Sequence, residues 1–563
     1  MKLSLIIPAV IIFLIFLTVL ELSKNTVLGW ILAAAVLAAF FIVDATVLRN
    51  GAWYFKALAW AAFIALLGAD LWLTQPPIRA VPAADHKNPV ETGIVTVAEG
   101  DLTGVYSEDK AVELYMGVPY AKPPVGELRW KAPQDAEKWQ GVRRCDTYAP
   151  QAMQGRTPAL MGSLVDIFIY KQYQVTLKDN YLAPMSEDCL YLNIWTPAHE
   201  PDEKLPVAVW IYGGGFMSGF AHEREFDGEA FAEKKVIYVS INYRLHVFGY
   251  LAHPELDKEA GRSGNYGLLD QIAALKWVHE NIAAFGGDPG NVMVFGQSAG
   301  AGSTIALFCS PLMKGMMQKA VVHSGLGGFA DRDAAYEVGK QFVAHCGYSS
   351  PAEMRGLSAE TLMEYYRTFK PEFGKNARMR LAFGPFVDGY ALTEPYDDCI
   401  DQGHYNDVEF LMGSTKDDMA GGAPMPWMPP AINAGMRKLL LKHEELGRRP
   451  GYLYFFSRPL PGDDSGSWHS SDLWYIHGTL ARSWRPFEEY DYKLSDTMVT
   501  YWTNFMKNGD PNGEGLPEWH PYTKDENFTM VFGDGEIGRG EPEFDPNPNP
   551  NAARWQVADN PWV

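Results

Sequence analysis

The sequence predicts a mostly parallel β-sheet with helices on both faces, preceded by a membrane-spanning helical segment. Three observations carry this. Short unbroken apolar runs end at glycine-rich turns, as in Val207–Tyr212 (VAVWIY), Val236–Asn242 (VIYVSIN) and Val292–Phe295. Such runs suit strands buried on both faces. Between the last two, Gly267–Phe285 spaces Leu268, Ile272, Leu275 and Val278 at a helical period. Strand–helix–strand alternation makes a parallel sheet, which binds ligands at the carboxyl ends of its strands. The third observation is the N-terminus, where three apolar runs follow one another.

Those runs are Leu3–Leu20, Thr26–Val43 and Ala57–Thr74, and Asp70 is their only charged residue. Each is about long enough to cross a hydrocarbon core as a helix. A cleaved signal peptide is disfavoured, because no small-residue cleavage pattern follows the first run and two further runs come at once. Lys2, Arg49 and Lys56 would lie on one side of the membrane, with Lys24 and Arg79 on the other. The positive-inside rule then leaves everything after Thr74 on the non-cytoplasmic side, periplasmic or extracellular. The expected organisation is an anchor over 1–75, a Pro- and Ala-containing linker over 76–88, and one catalytic domain over 89–563. The tail from Gly538, with its Asp-Pro-Asn-Pro-Asn-Pro run, reads as irregular surface chain.

Composition narrows the function. The net charge is −20, which argues against a nucleic-acid partner because phosphate binding needs clustered Lys and Arg. The five cysteines, Cys145, Cys189, Cys309, Cys346 and Cys399, have no metal-ligand spacing, so no metal is expected and at most two pairs could form.

Gly296-Gln297-Ser298-Ala299-Gly300 follows the Val292–Phe295 strand and precedes a helical Ala301–Phe308. This is G-x-S-x-G in strand–turn–helix context, the nucleophile elbow of an α/β-hydrolase fold, and it lifts the serine oxygen above the sheet edge. A serine hydroxyl needs a base. Of the 13 histidines, His323 lies in an apolar strand-like AVVHSG, His279 on an amphipathic helix and His520 among Pro and Trp, all ordinary packing or surface positions. His469 differs. It sits in a Gly-Ser-Trp-His-Ser-Ser-Asp loop after the Tyr452–Phe456 strand and follows the serine in chain order. An acid belongs between them at the end of a further strand. Val408–Gly413 is such a strand and is followed by Lys416-Asp417-Asp418, so Asp418 is the expected acid. Tyr212-Gly213-Gly214-Gly215-Phe216 ends an earlier strand, where glycines let N–H groups converge on an oxyanion.

With these pieces placed, the chain after the linker closely resembles the type-B carboxylesterase (cholinesterase-like) family. Gly117 through Trp130 (GVPYAKPPVGELRW), Ser186 through Asn193 (SEDCLYLN) and Gly287 through Gly300 look like its signatures, joined by Asn242-Tyr243-Arg244 and Asn508-Gly-Asp-Pro-Asn512. The resemblance implies Ser298 as nucleophile, His469 as general base and acid, and Asp418 as their acidic partner. It also implies an oxyanion hole from the Gly214, Gly215 and Ala299 N–H groups, with no cofactor. Four departures stand out. Asp418 replaces the family's usual Glu and is one methylene shorter, with Asp417 as fallback. Gln297 replaces the Glu of cholinesterases, which disfavours cationic choline esters. Ala152 stands where the partner of Cys189 is expected. The stretch from Asp418 to His469 is short, predicting a more open cleft.

The expected activity is therefore hydrolysis of carboxylic esters through an acyl-enzyme. A lipase acting on micellar or membrane esters would keep the chemistry and change the substrate. A catalytically inactive adhesion protein of the same fold would have lost one of the reacting groups, whereas this chain retains all of them. Gln151–Met185 carries the apolar stretch Leu160–Tyr170, read either as a core-packed helix or as a wall of the acyl pocket.

Overall fold

The computed structural model describes residues 3–22, 25, 27–46, 51–74, 90–155, 184–325, 327–373, 382–418, 428–462, 464–483 and 485–544. The linker expected over 76–88 and the Leu160–Tyr170 stretch lie outside the described residues.

The chain divides into two compact units. The smaller contains α1 (Leu3–Leu22), α2 (Val27–Thr46) and α3 (Trp53–Leu73). Their inner faces share a small core of Ala9, Phe16, Leu20, Ala33, Phe40, Phe63 and Leu67. Outward positions are apolar too, with Ile15, Ile31, Ile42 and Leu58 exposed. Helices that are apolar on every side are ones that a protein core or a bilayer covers. Two of them, α2 and α3, are long and apolar enough to cross a membrane. One end of the unit is tied by Asn25, whose Nδ2 donates to Leu71 O at 2.9 Å and to Thr74 Oγ1 at 2.8 Å. Gly29 is required there, because a Cβ would lie 2.5 Å from Thr74 Oγ1.

The larger unit is built on an 11-stranded sheet. Across it the strands run Ile537–Arg539, Met530–Phe532, Tyr452–Phe456, Glu409–Thr415, Lys319–His323, Gly287–Gln297, Leu205–Ile211, Ile237–Ile241, Tyr191–Thr196, Glu113–Pro119 and Val105–Tyr106. From Met530–Phe532 to Ile237–Ile241 every pairing is parallel, and both edges are antiparallel. The unbroken apolar runs are the central strands, and Val207, Val209, Ile211, Val239 and Val294 are fully buried. The helix Tyr266–Asn281 covers one face through Leu268, Leu275 and Val278, while Ile272 is only half-buried. One expectation fails at the edge. Gly538 lies in the strand Ile537–Arg539, paired antiparallel to Met530–Phe532. Its local composition is that of a loop, but the free edge of Met530–Phe532 offers ladder partners.

The signature segments are ties between loops. Buried Arg129 and half-buried Glu187 form a pair at 2.5 Å, and Arg244 clasps Asp270 with two bonds of 2.8 and 2.7 Å. Asn242 Oδ1 accepts the Ala221 N–H at 2.8 Å, anchoring the loop that follows the glycine run. Asn512 caps the chain near Trp519 in the same way. All five cysteines are free and buried.

Sequence order reverses between the adjacent strands Leu205–Ile211 and Gly287–Gln297, since the chain leaves the first toward Ile237–Ile241 and returns to the other side. Ligand crevices open at the carboxyl ends of such a switch point. The glycine run Gly213–Gly215 and the elbow serine leave those two ends.

Candidate active site

Ser298 stands between the strand Gly287–Gln297 and the helix Ala299–Cys309 with φ 56 and ψ −120. That conformation is rare for a residue with a Cβ and is held only by surrounding structure, at a cost of about 1–3 kcal/mol. The flanking glycines show what holds it. A Cβ at Gly300 would lie 2.0 Å from Ile211 O, and one at Gly296 would lie 2.5 Å from the Gly300 carbonyl and 2.7 Å from Ile211 O. The elbow is thus pressed against the neighbouring strand, at a distance only glycine permits. The Ser298 N–H donates to His323 O at 3.0 Å, fixing the turn to the strand on its other side. Ser298 itself is half-buried, so a ligand can reach it.

The glycine run packs directly on this turn. A Cβ at Gly213 would meet Gln297 Oε1 at 2.9 Å and Ser298 Cβ at 3.1 Å. Gly214 and Gly215 follow with φ 93 and 63. The Gly214 carbonyl turns away and accepts from Met217 N at 3.0 Å and Ser218 N at 3.1 Å. Among the described residues, the N–H groups of Gly214, Gly215 and Ala299 have no hydrogen-bond acceptor. Ala299 opens its helix, where the dipole adds to the positive potential. Backbone donors of this kind suit a developing oxyanion.

His469 and Asp418 come together from separate loops. His469 Nδ1 is hydrogen-bonded to Asp418 Oδ1, with Asp418 fully buried and His469 nearly so. Asp418 Oδ2 also accepts the Thr415 N–H at 3.3 Å. The fallback, Asp417, does something else. Its backbone N–H donates to Ser467 O at 3.0 Å and its Oδ2 accepts the Ser467 N–H at 2.8 Å, bracing the two loops side by side. Adjacent residues at the strand end point opposite ways, so one carboxylate meets the imidazole and the other the backbone. That brace draws the loops together, and Asp418 spans the gap despite its shorter side chain.

On its other side, His469 Nε2 lies 3.0 Å from Gln297 Nε2. With Nδ1–H donated to Asp418, Nε2 is an acceptor and the amide is its donor. Sequence reasoning did not foresee this contact, and no hydrogen bond of the Ser298 hydroxyl is found among the described residues. Such bonds are commonly long before substrate binds. Sequence reasoning also passed over Asp472, three residues after His469 and fully buried. Its only sequence signal was an acid in the Gly/Ser-rich loop that carries the histidine. Among the described residues, no cluster of His, Cys, Asp and Glu could hold a metal ion.

A strained serine above a parallel sheet, with an imidazole–carboxylate pair bonded to its neighbour Gln297 and backbone donors on the adjoining turn, has the make-up of a serine hydrolase of the α/β-hydrolase class. The carboxylesterase family model matches residues 91–432 and 430–539. The chain belongs to that family, and it is a carboxylic-ester hydrolase. It is 34% identical over 492 residues to the medium-chain fatty acyl-CoA hydrolase precursor of Anas platyrhynchos, spanning 76% of this chain and 86% of that protein. It is 31% identical to the liver carboxylesterase of Sus scrofa, spanning 79% and 90%. The Geobacillus stearothermophilus carboxylesterase EST55 superposes with a TM-score of 0.66 at 28% identity, covering 83% of this chain and all of that one.

Proposed function

We propose that Ser298 is the nucleophile, His469 the general base and acid, and Asp418 the group that fixes the imidazole tautomer. When an ester carbonyl enters, the His469 ring exchanges its Gln297 contact for the Ser298 hydroxyl and takes its proton as the oxygen attacks. The oxyanion is met by the N–H groups of Gly214, Gly215 and Ala299. The imidazolium then protonates the departing alcohol, and water repeats the sequence to release the acid. The observation that carries this reading is the meeting of three features at one switch point: the Ser298 elbow, the glycine run packed on it, and the buried His469–Asp418 pair.

The substrates proposed are uncharged esters with apolar acyl groups. Gln297 gives the site no anion for a cationic alcohol, and Met217, beside Gly215 in the glycine-run loop, exposes 47% of its surface. The organisation proposed is a three-helix membrane anchor over 1–75, a linker over 76–88 and the esterase domain over 89–563 on the non-cytoplasmic side. Support comes from the apolar outward faces of α1–α3 and the charges flanking them. An alkaline phosphatase fusion after Thr74 should be active in intact cells, and an inactive fusion would reverse the topology.

The test of the chemistry uses the full chain in detergent with p-nitrophenyl esters of increasing acyl length. Ser298→Ala should abolish turnover of every member. Retention of most activity would remove Ser298 from the mechanism.

A further inference from the structure

Beneath the His469 loop lies a directed chain of buried hydrogen bonds that the mechanism above does not use. Tyr454, on the strand Tyr452–Phe456, has its hydroxyl 2.7 Å from Asp472 Oδ2 and 2.7 Å from His323 Nδ1. A phenol has one proton to give, and an ionised carboxylate can only accept. Tyr454 therefore donates to Asp472 and accepts from His323 Nδ1–H. That leaves His323 Nε2 as an acceptor, and the Trp502 indole N–H supplies it at 3.3 Å while its ring stacks on the imidazole. Every member is buried. The donors all run one way, from Trp502 through His323 and Tyr454 to Asp472. Gly413 clears the path, since a Cβ there would lie 2.0 Å from the Tyr454 ring. The same His323 accepts the Ser298 N–H through its carbonyl, so one residue joins this chain to the elbow.

A buried carboxylate carries a large desolvation cost unless something nearby uses its charge. Asp472 Oδ1 has no hydrogen-bond partner among the described residues. We propose that Asp472 is a positioning residue of the ester-hydrolysing site, a second carboxylate held by Tyr454, itself bonded to His323, that supplies countercharge when His469 becomes an imidazolium. The proposal rests on the reading of His469 as the base. The ionisable groups around Asp472 are Asp418 from the loop after Glu409–Thr415, His469 from its own loop, Tyr454 from Tyr452–Phe456 and His323 from Lys319–His323. His477 acts electrostatically on His323, and the helix Glu489–Asn508 contributes the Trp502 indole. Burial, helped by Asp418, pushes the Asp472 carboxyl up to about 6, while the Tyr454 bond and His469 pull it down. Burial also holds His323 well below the ordinary histidine range, so it stays neutral and the direction of the chain is fixed.

The experiment is the pH dependence of kcat/KM for p-nitrophenyl acetate with the full chain and its Asp472→Asn and Tyr454→Phe variants. Loss of the Asp472 charge lowers the proton affinity of His469, so the acid limb should move down by roughly half to one pH unit. The plateau kcat should fall about tenfold with KM unchanged. Tyr454→Phe leaves Asp472 protonated to higher pH and should move the limb the same way by less. The double variant should move it no further than Asp472→Asn alone. An acid limb unmoved in both folded single variants would overturn the proposal, whatever happens to the plateau. If Ser298→Ala is inactive while the limb stays fixed, only this inference fails. If Ser298→Ala remains active, the reading of the site itself fails.

Discussion

Gly300→Ala is the smallest change that tests how the elbow is held. The added Cβ would lie 2.0 Å from Ile211 O and 2.7 Å from Tyr212 O, both backbone atoms of the central strand and the turn leaving it. Ordinary contact begins near 3.4 Å, so the helix Ala299–Cys309 must back away by roughly 1.4 Å at its first turn. Ser298 and the Ala299 N–H ride on that turn. A misplacement of about 1 Å in reacting groups costs on the order of 10²-fold in rate. Overpacking a fixed backbone costs about 1–3 kcal/mol in stability. The assays are kcat/KM on p-nitrophenyl acetate and denaturant unfolding, each against Gly93→Ala, where nothing lies within 4 Å of the added methyl. Gly93→Ala should leave both measurements unchanged. A Gly300→Ala enzyme within about threefold of the parent in kcat/KM would refute the argument that close backbone approach fixes the elbow.

Two other variants probe the buried acids. Asp418→Asn replaces an obligate acceptor with an amide whose NH₂ can donate to His469 Nδ1, selecting the tautomer whose Nε2 carries the proton. kcat should fall by about 10⁴-fold with little change in KM, measured by burst-corrected turnover. Asp472 carries a stability signature as well. Its folded value of about 6 lies above that of an unfolded carboxyl, so the folded state binds the extra proton and stability falls as pH rises through about 4 to 6. Asp472→Asn should remove that slope and, above pH 6, gain up to about 3 kcal/mol in urea unfolding, and an unchanged slope would count against the assignment.

Much of this was legible because local chemistry and global fold agree. The run VAVWIY reads as a strand buried on both faces, and its termination at three glycines placed a turn at that strand's carboxyl end, where ligands bind. Ser298 was legible for the same reason, since its glycines have one physical use, close approach to Ile211. The choice between Asp417 and Asp418 was not fixed by spacing, because neighbouring residues at a strand end face opposite sides and the sequence does not number the faces. Gln297 was noted as a missing charge, yet its amide reaches His469 Nε2, a contact made across 172 positions of chain. Asp472 was invisible as a partner because Tyr454, which reaches it, and His323, which reaches Tyr454, lie on two strands with apolar neighbours. The strand Ile537–Arg539 was misread from composition, since edge strands are recruited by an open ladder more than by propensity.

The central claim is that Ser298 is an armed nucleophile, and a fluorophosphonate probe with peptide mass spectrometry tests it most directly. One equivalent of label on the peptide containing Gly296–Gly300, located at Ser298 and abolished in Ser298→Ala, is the predicted result. A folded chain that takes no label, or that carries it on another residue, would contradict the claim.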